Sequence, residues 1–156
     1  MGAIEAARLA EALKPTHQLS IDDCGELVRR LPMIHADHHL HVCFSDTENA
    51  TDKSAMQRSD VDQIVEWVSA LPSTARLIVH CVTGESRSTA IVLGILARDL
   101  SPAQAVDTLE MIRPGSTPNN HIVRLFDEVL LLHGELLSAS EQFSVSAWLE
   151  SWKKTP

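Results

Sequence analysis

The sequence predicts an α/β domain built on a small, mainly parallel sheet with helices on both faces. Three observations predict it. Only three short stretches, residues 16–21, 38–44 and 76–80, have the alternation or β-branched apolar run of a strand, while most of the remaining chain carries apolar residues at helical spacing. The last of these strands, through Leu77-Ile78-Val79, is apolar throughout, as buried parallel strands are. And 156 residues, 44% hydrophobic and 22% charged, are enough to bury one full core without staples, so we read 1–156 as a single domain.

Taken in order, Ile4, Ala7, Leu9, Ala10 and Leu13 predict a helix over 3–13, ended by Lys14-Pro15. Thr16 to Ile21 is the first strand, closed by Asp22-Asp23, and Cys24 to Leu31 is a helical turn. In the second strand, Leu40, Val42 and Phe44 share one face and His39, His41 and Cys43 the other. Residues 45–55 lack periodicity and form a loop. Val61, Ile64, Val65, Val68 and Leu71 predict a helix over 59–71, ended by Pro72. The third strand feeds a helix over 88–100 with almost no polar face. Ser101-Pro102-Ala103-Gln104 opens a further helix as a capping box with proline at its first position. Arg113 to Pro118 breaks the chain, and Ile122, Val123, Phe126, Val129, Leu130 and His133 predict one long helix from Asn119 to about Leu137. A further helix is expected over 140–152.

Between the third strand and the apolar helix lies His80-Cys81-Val82-Thr83-Gly84-Glu85-Ser86-Arg87-Ser88. Strand, turn and helix aim successive amides and a helix dipole at one point, which suits an anion. The amides of Val82, Thr83, Gly84, Glu85, Ser86 and Arg87 can surround a tetrahedral dianion, and the Arg87 guanidinium can hold two of its oxygens. The same field favours the thiolate of Cys81, the nucleophilic form. Ser88 can donate to that sulfur and make it a better leaving group. His80 can orient the loop through backbone carbonyls.

His80-Cys81, five residues, then Arg87-Ser88 resembles the signature of the cysteine-dependent protein tyrosine phosphatases. The short chain is similar to the dual-specificity subgroup and to small predicted bacterial tyrosine phosphatases, over about residues 16–136. The resemblance implies a phosphatase-like fold and a phosphomonoester hydrolase, a protein tyrosine or dual-specificity phosphatase, acting through a phosphocysteine. It implies no cofactor and no metal, and a phosphorylated protein or small aryl phosphate as partner. Rhodanese sulfurtransferases differ in a loop usually one residue shorter. Low-molecular-weight phosphatases carry their loop near the N-terminus. The alternative from another class is a catalytically silent phosphate-binding module, though the nucleophile and the arginine it would lack are both here.

The resemblance also implies a general acid on a loop a few tens of residues before the cysteine. Asp46 has the fitting spacing to Cys81, with Asp52 in the same loop as the second choice. Pro118-Asn119 resembles a Pro-Asn pair behind the catalytic loop, and Asn119 is expected to cap its helix and support the loop. Glu85 stands where phosphoinositide-directed relatives tend to carry lysine, which disfavours highly anionic inositol lipids. The lipid-phosphatase branch carries a second cysteine near Cys24, able to close a disulfide with oxidised Cys81; Cys43 is a weaker candidate for that role, and a free buried thiol is the plainer reading of Cys24.

His35, Asp37, His38, His39 and His41 cluster in sequence, but strand alternation separates His38 from the other two strand histidines, so no metal site is expected. A net charge of −8 argues against nucleic-acid binding. No apolar run approaches a membrane span, the first residues lack the pattern of a signal peptide, and Gly2 is not followed by the usual myristoylation residues. Three cysteines at unrelated spacings argue against a disulfide framework, and a catalytic thiolate needs a reducing compartment, so a cytoplasmic location is expected.

Overall fold

The computed structural model describes residues 1–25 and 30–142. Its centre is a three-stranded, all-parallel sheet in the order β2-β1-β3, formed by β1 (His17–Asp22), β2 (His39–Cys43) and β3 (Leu77–His80). The helices are α1 (Ala3–Leu13), α2 (Arg58–Ser69), α3 (Arg87–Leu96), α4 (Pro102–Ile112) and α5 (Asn120–Val129), and residues 135–142 are again helical.

One face of the sheet is apolar and the other largely polar, as the alternation dictates. Leu19, Ile21, Leu40, Val42 and Val79 enter a core completed by α2 to α5, whose Val61, Ile64, Ile91, Leu93, Ile122 and Phe126 are fully buried or nearly so. Burying each such side chain stabilises the fold by roughly 1.5–3 kcal/mol. Gly94 makes the contact of α3 with α5 possible: a Cβ there would lie 2.2 Å from the Phe126 ring. On the opposite face Ile78 packs with Ala6 and Ala10 of α1 and with Leu31 and Ile34. Helices thus cover both faces of a parallel sheet, the fold class read from the sequence.

The polar face explains the histidines. Ser20 Oγ lies 2.9 Å from both His39 Nε2 and His80 Nε2, and Gln18 Nε2 lies 3.0 Å from His80 Nε2. His41 approaches Asp22 at 3.5 Å, His38 stacks on His17, and His35 pairs with Asp37 at the surface. Among the described residues no group of three or more His, Cys, Asp or Glu is arranged to hold a metal ion.

Two expectations are corrected. Cys24 is not a free buried thiol and does not face Cys81: it is bonded to Cys43, and both are exposed. The register pairs Asp22 with Cys43, so the residues ending two neighbouring parallel strands lie side by side, with Cys24 and Cys43 Cα atoms 4.9 Å apart. The long last helix is interrupted. Leu131, His133 and Gly134 adopt left-handed conformations, His133 is exposed, and buried Asp127 accepts the amides of Gly134, Leu136 and Leu137, capping the helix that begins at 135. His80 Nε2 reaches the side chains of Ser20 and Gln18 on β1. Of the turn expected at 24–31, residues 26–29 lie outside the described residues, as does most of the helix expected at 140–152. No helix among the described residues is long and apolar enough to cross a membrane.

Candidate active site

β3 delivers His80 and Cys81 to the end of the sheet, and α3 begins six residues later with Arg87. The loop between them is fixed from outside by its carbonyls. Val82 O accepts Ala3 N, Glu85 O accepts Thr117 N and Thr89 Oγ1, and Ser86 O accepts Thr89 Oγ1, Ala90 N and, at 3.4 Å, Asn119 N. With the carbonyls turned outward the amides turn inward. Among the described residues, those of Val82, Thr83, Glu85 and Ser86 donate to no protein group, while Gly84 N donates to Cys81 Sγ at 3.2 Å. Gly84 is glycine for two reasons. Its φ is +81°, and a Cβ would lie 2.1 Å from Gly2 N, because Met1 and Gly2 run alongside the loop and Gly2 makes an isolated parallel bridge with Cys81.

Cys81 is a free cysteine, 1% exposed. Burial pushes its thiol pKa up, but the Ser88 hydroxyl at 3.4 Å, the Ser88 and Gly84 amides and the Arg87 charge together bring it below the ordinary cysteine value. His80, buried beneath the loop, has its pKa lowered chiefly by that burial, so it serves as a neutral partner of Ser20 and Gln18. Val82, Thr83 and Glu85 are exposed at the mouth of the loop.

Arg87 lies buried under the loop. Its Nη1 donates to Phe44 O at 2.9 Å and to Asp23 Oδ1 at 3.2 Å, and Nε, 3.9 Å from Asp46 Oδ2, has no hydrogen-bond partner. Asp46 is drawn to the loop by two side chains at once: its Oδ1 accepts Ser86 Oγ at 2.7 Å and Asn119 Nδ2 at 2.9 Å. Asn119 has a double role, since its Oδ1 also caps α5 by accepting Ile122 N. Asn120 N donates to Glu48, a second tie to the same loop. Asp52 stays at the surface, its Oδ1 accepting the amide and hydroxyl of Ser54, which lower its pKa. The arrangement therefore gathers Cys81, Arg87, Ser88, Asp46 and Asn119 and leaves Asp52 outside. Asp23 was not singled out by sequence reasoning, where it is only a strand terminator; its approach to Arg87 depends on where β1 ends.

No family model matches the sequence, and comparison with curated proteins gave no match. Solved structures do match. A crystal structure of DUSP15 superimposes with a TM-score of 0.65 at 21% identity, covering 91% of this chain and 86% of that one. A mouse putative dual specificity phosphatase crystallised with zinc tungstate gives 0.61 at 19%, covering 85% and 81%. The chain has the dual-specificity phosphatase fold. The Yvh1 phosphatase domain of Chaetomium thermophilum shares that fold as well, with a TM-score of 0.61 at 22% identity over 86% of this chain and 90% of that domain. In this dual-specificity phosphatase fold the loop of Cys81 to Arg87 occupies the junction of the strand β3 with the buried helix α3.

Proposed function

We propose that this chain is a cysteine-dependent phosphomonoester hydrolase acting on phosphotyrosine or, more generally, on phosphoprotein. The observation that carries the reading is the convergence on one loop of a buried cysteine with a lowered thiol pKa, an arginine whose Nε makes no hydrogen bond and a carboxylate held 3.9 Å from that Nε. Cys81 Sγ attacks phosphorus, the bond to the leaving oxygen breaks, and Asp46 gives that oxygen its proton. Water then attacks the phosphocysteine, Asp46 takes the water's proton, and Cys81 leaves as a thiolate to which Ser88 donates. Arg87 and the loop amides stabilise the equatorial oxygens in both steps. Val82, Thr83 and Glu85 meet the substrate at the mouth, and Glu85 favours substrates of modest negative charge over inositol lipids. The nucleophile is an amino-acid side chain, so the reaction calls for no cofactor. Action in the cytoplasm, without nucleic-acid or membrane partners, is part of the proposal and rests on the chemistry of Cys81 and the acidic net charge.

The test is hydrolysis of phosphotyrosine and a generic aryl phosphate, in reductant and chelator, by the parent chain and Cys81→Ser. Turnover that survives the chelator and vanishes in Cys81→Ser supports the reading. Phosphopeptide binding without turnover in the parent would replace it with a binding module.

A further inference from the structure

Arg87 is hydrogen-bonded from one side, with Asp46 Oδ2 3.9 Å from Nε on the other. Among the described residues all its hydrogen bonds leave from Nη1, to Asp23 Oδ1 and Phe44 O. The edge formed by Nε and Nη2 is the planar pair that can meet two oxygens of a tetrahedral anion, and the two acceptors on Nη1 set where that edge points. Both acceptors belong to residues next to the disulfide. Asp23 directly precedes Cys24, and Phe44 directly follows Cys43. Phe44 is firmly buried, but the Asp23 side chain is 44% exposed, beyond the end of β1. An exposed carboxylate at a chain turn holds an arginine weakly unless its backbone is fixed. The disulfide supplies that fixation, tying the end of β1 to the end of β2 across a sequence separation of 19.

We propose that Asp23 is a positioning residue for Arg87 and that the Cys24–Cys43 disulfide holds Asp23 and Phe44 against the guanidinium, so that opening the bond weakens oxyanion binding without touching Cys81. This rests on the phosphate-site reading above. The agent that opens the bond is a dithiol reductant. One of its thiolates attacks a sulfur of the pair, the S–S bond breaks and a mixed disulfide forms; its second thiol then expels the remaining protein thiol. In sum two electrons and two protons pass to the protein, giving two cysteine thiols and an oxidised dithiol. Both cysteines are exposed and within reach of such a reagent, whereas Cys81 is buried.

The experiment uses the full chain carrying Cys81→Ser, in which Cys24 and Cys43 form the sole thiol–disulfide couple. Inorganic phosphate is titrated by calorimetry before and after dithiothreitol, with non-reducing peptide mapping to establish the state of the bond and circular dichroism to establish the fold. The expected result is phosphate binding that weakens about fivefold to tenfold on reduction. Adding Asp23→Asn should weaken binding already in the oxidised form and remove most of the response to reduction, and Asp23→Glu should restore part of it, which a purely structural role would not. Equal affinity in both states with the bond shown to open, Asp23→Asn binding like its parent, or free thiols at both positions in protein purified without reductant would each overturn the proposal. No phosphate binding in either state would overturn the phosphate-site reading and this inference together; binding indifferent to reduction would overturn the inference alone.

Discussion

Removing the Ser88 hydroxyl tests the link between loop geometry and nucleophile. Ser88 is fully buried, with its Oγ 3.4 Å from Cys81 Sγ, and is the first of the groups that offset the burial of the thiol. A hydrogen bond to a charged partner contributes about 1.5–3 kcal/mol. In Ser88→Ala the hydroxyl that stabilises the thiolate is lost from a fully buried position. At about 1.4 kcal/mol per factor of ten, the thiolate fraction at any pH below the thiol's own pKa falls on the order of 10- to 100-fold. The S···O separation is long for a strong bond, which places the expected loss near the lower figure. The assay is the rate of Cys81 alkylation by iodoacetamide as a function of pH. Loss of a thiolate stabiliser moves the profile to higher pH and leaves its alkaline plateau unchanged. Superimposable profiles for Ser88→Ala and parent, with unchanged circular dichroism, would refute the assignment.

Three further outcomes are expected. Asp46→Asn should slow hydrolysis of phosphotyrosine, a poor leaving group, by about 10²- to 10⁴-fold, and Asp52→Asn should leave it near parental, because only Asp46 is carried to the loop; steady-state kinetics on both variants decides, and the reverse order would reassign the acid. Gly94→Ala should lower the thermal midpoint, since overpacking against Phe126 costs about 1–3 kcal/mol and outweighs the roughly 1 kcal/mol gained in helix propensity; a raised midpoint would show that α3 and α5 are not in such close contact. His80 and His39 both have pKa values lowered chiefly by burial, so between the folded and unfolded values the unfolded chain binds more protons and stability is lost as pH falls below about 6.5. Denaturant midpoints measured from neutral to mildly acidic pH should therefore fall, and a rise over that range would contradict the buried neutral assignment.

Much of this arrangement is legible in the sequence because it rests on local patterns. Strand, loop and helix around Cys81 are contiguous, so the spacing of Cys81 and Arg87 and the absence of a polar face on α3 are enough to place them. Ser101 and Asn119 are legible for the same reason: a cap and the amide it accepts lie within one turn. The Cys24–Cys43 bond is not, because it depends on the register of two parallel strands and on where each one stops. Asp23 follows from the same two quantities. The break after α5 is hidden because its predicted stripe runs on to His133, because Leu131 and His133 are non-glycine residues that adopt left-handed conformations, and because Asp127 caps a helix that begins eight residues downstream. The pairing of Gly2 with Cys81 joins the start of the chain to its middle and has no local signature.

The measurement closest to the central claim is the capture of the intermediate. The parent chain is mixed with an aryl phosphate, quenched in acid within a turnover, digested and analysed by mass spectrometry. The account predicts one added phosphoryl group on the peptide that contains Cys81, removed on longer incubation and missing in Cys81→Ser. Turnover with no phosphoryl group on that peptide, or with the group on another residue, would contradict it.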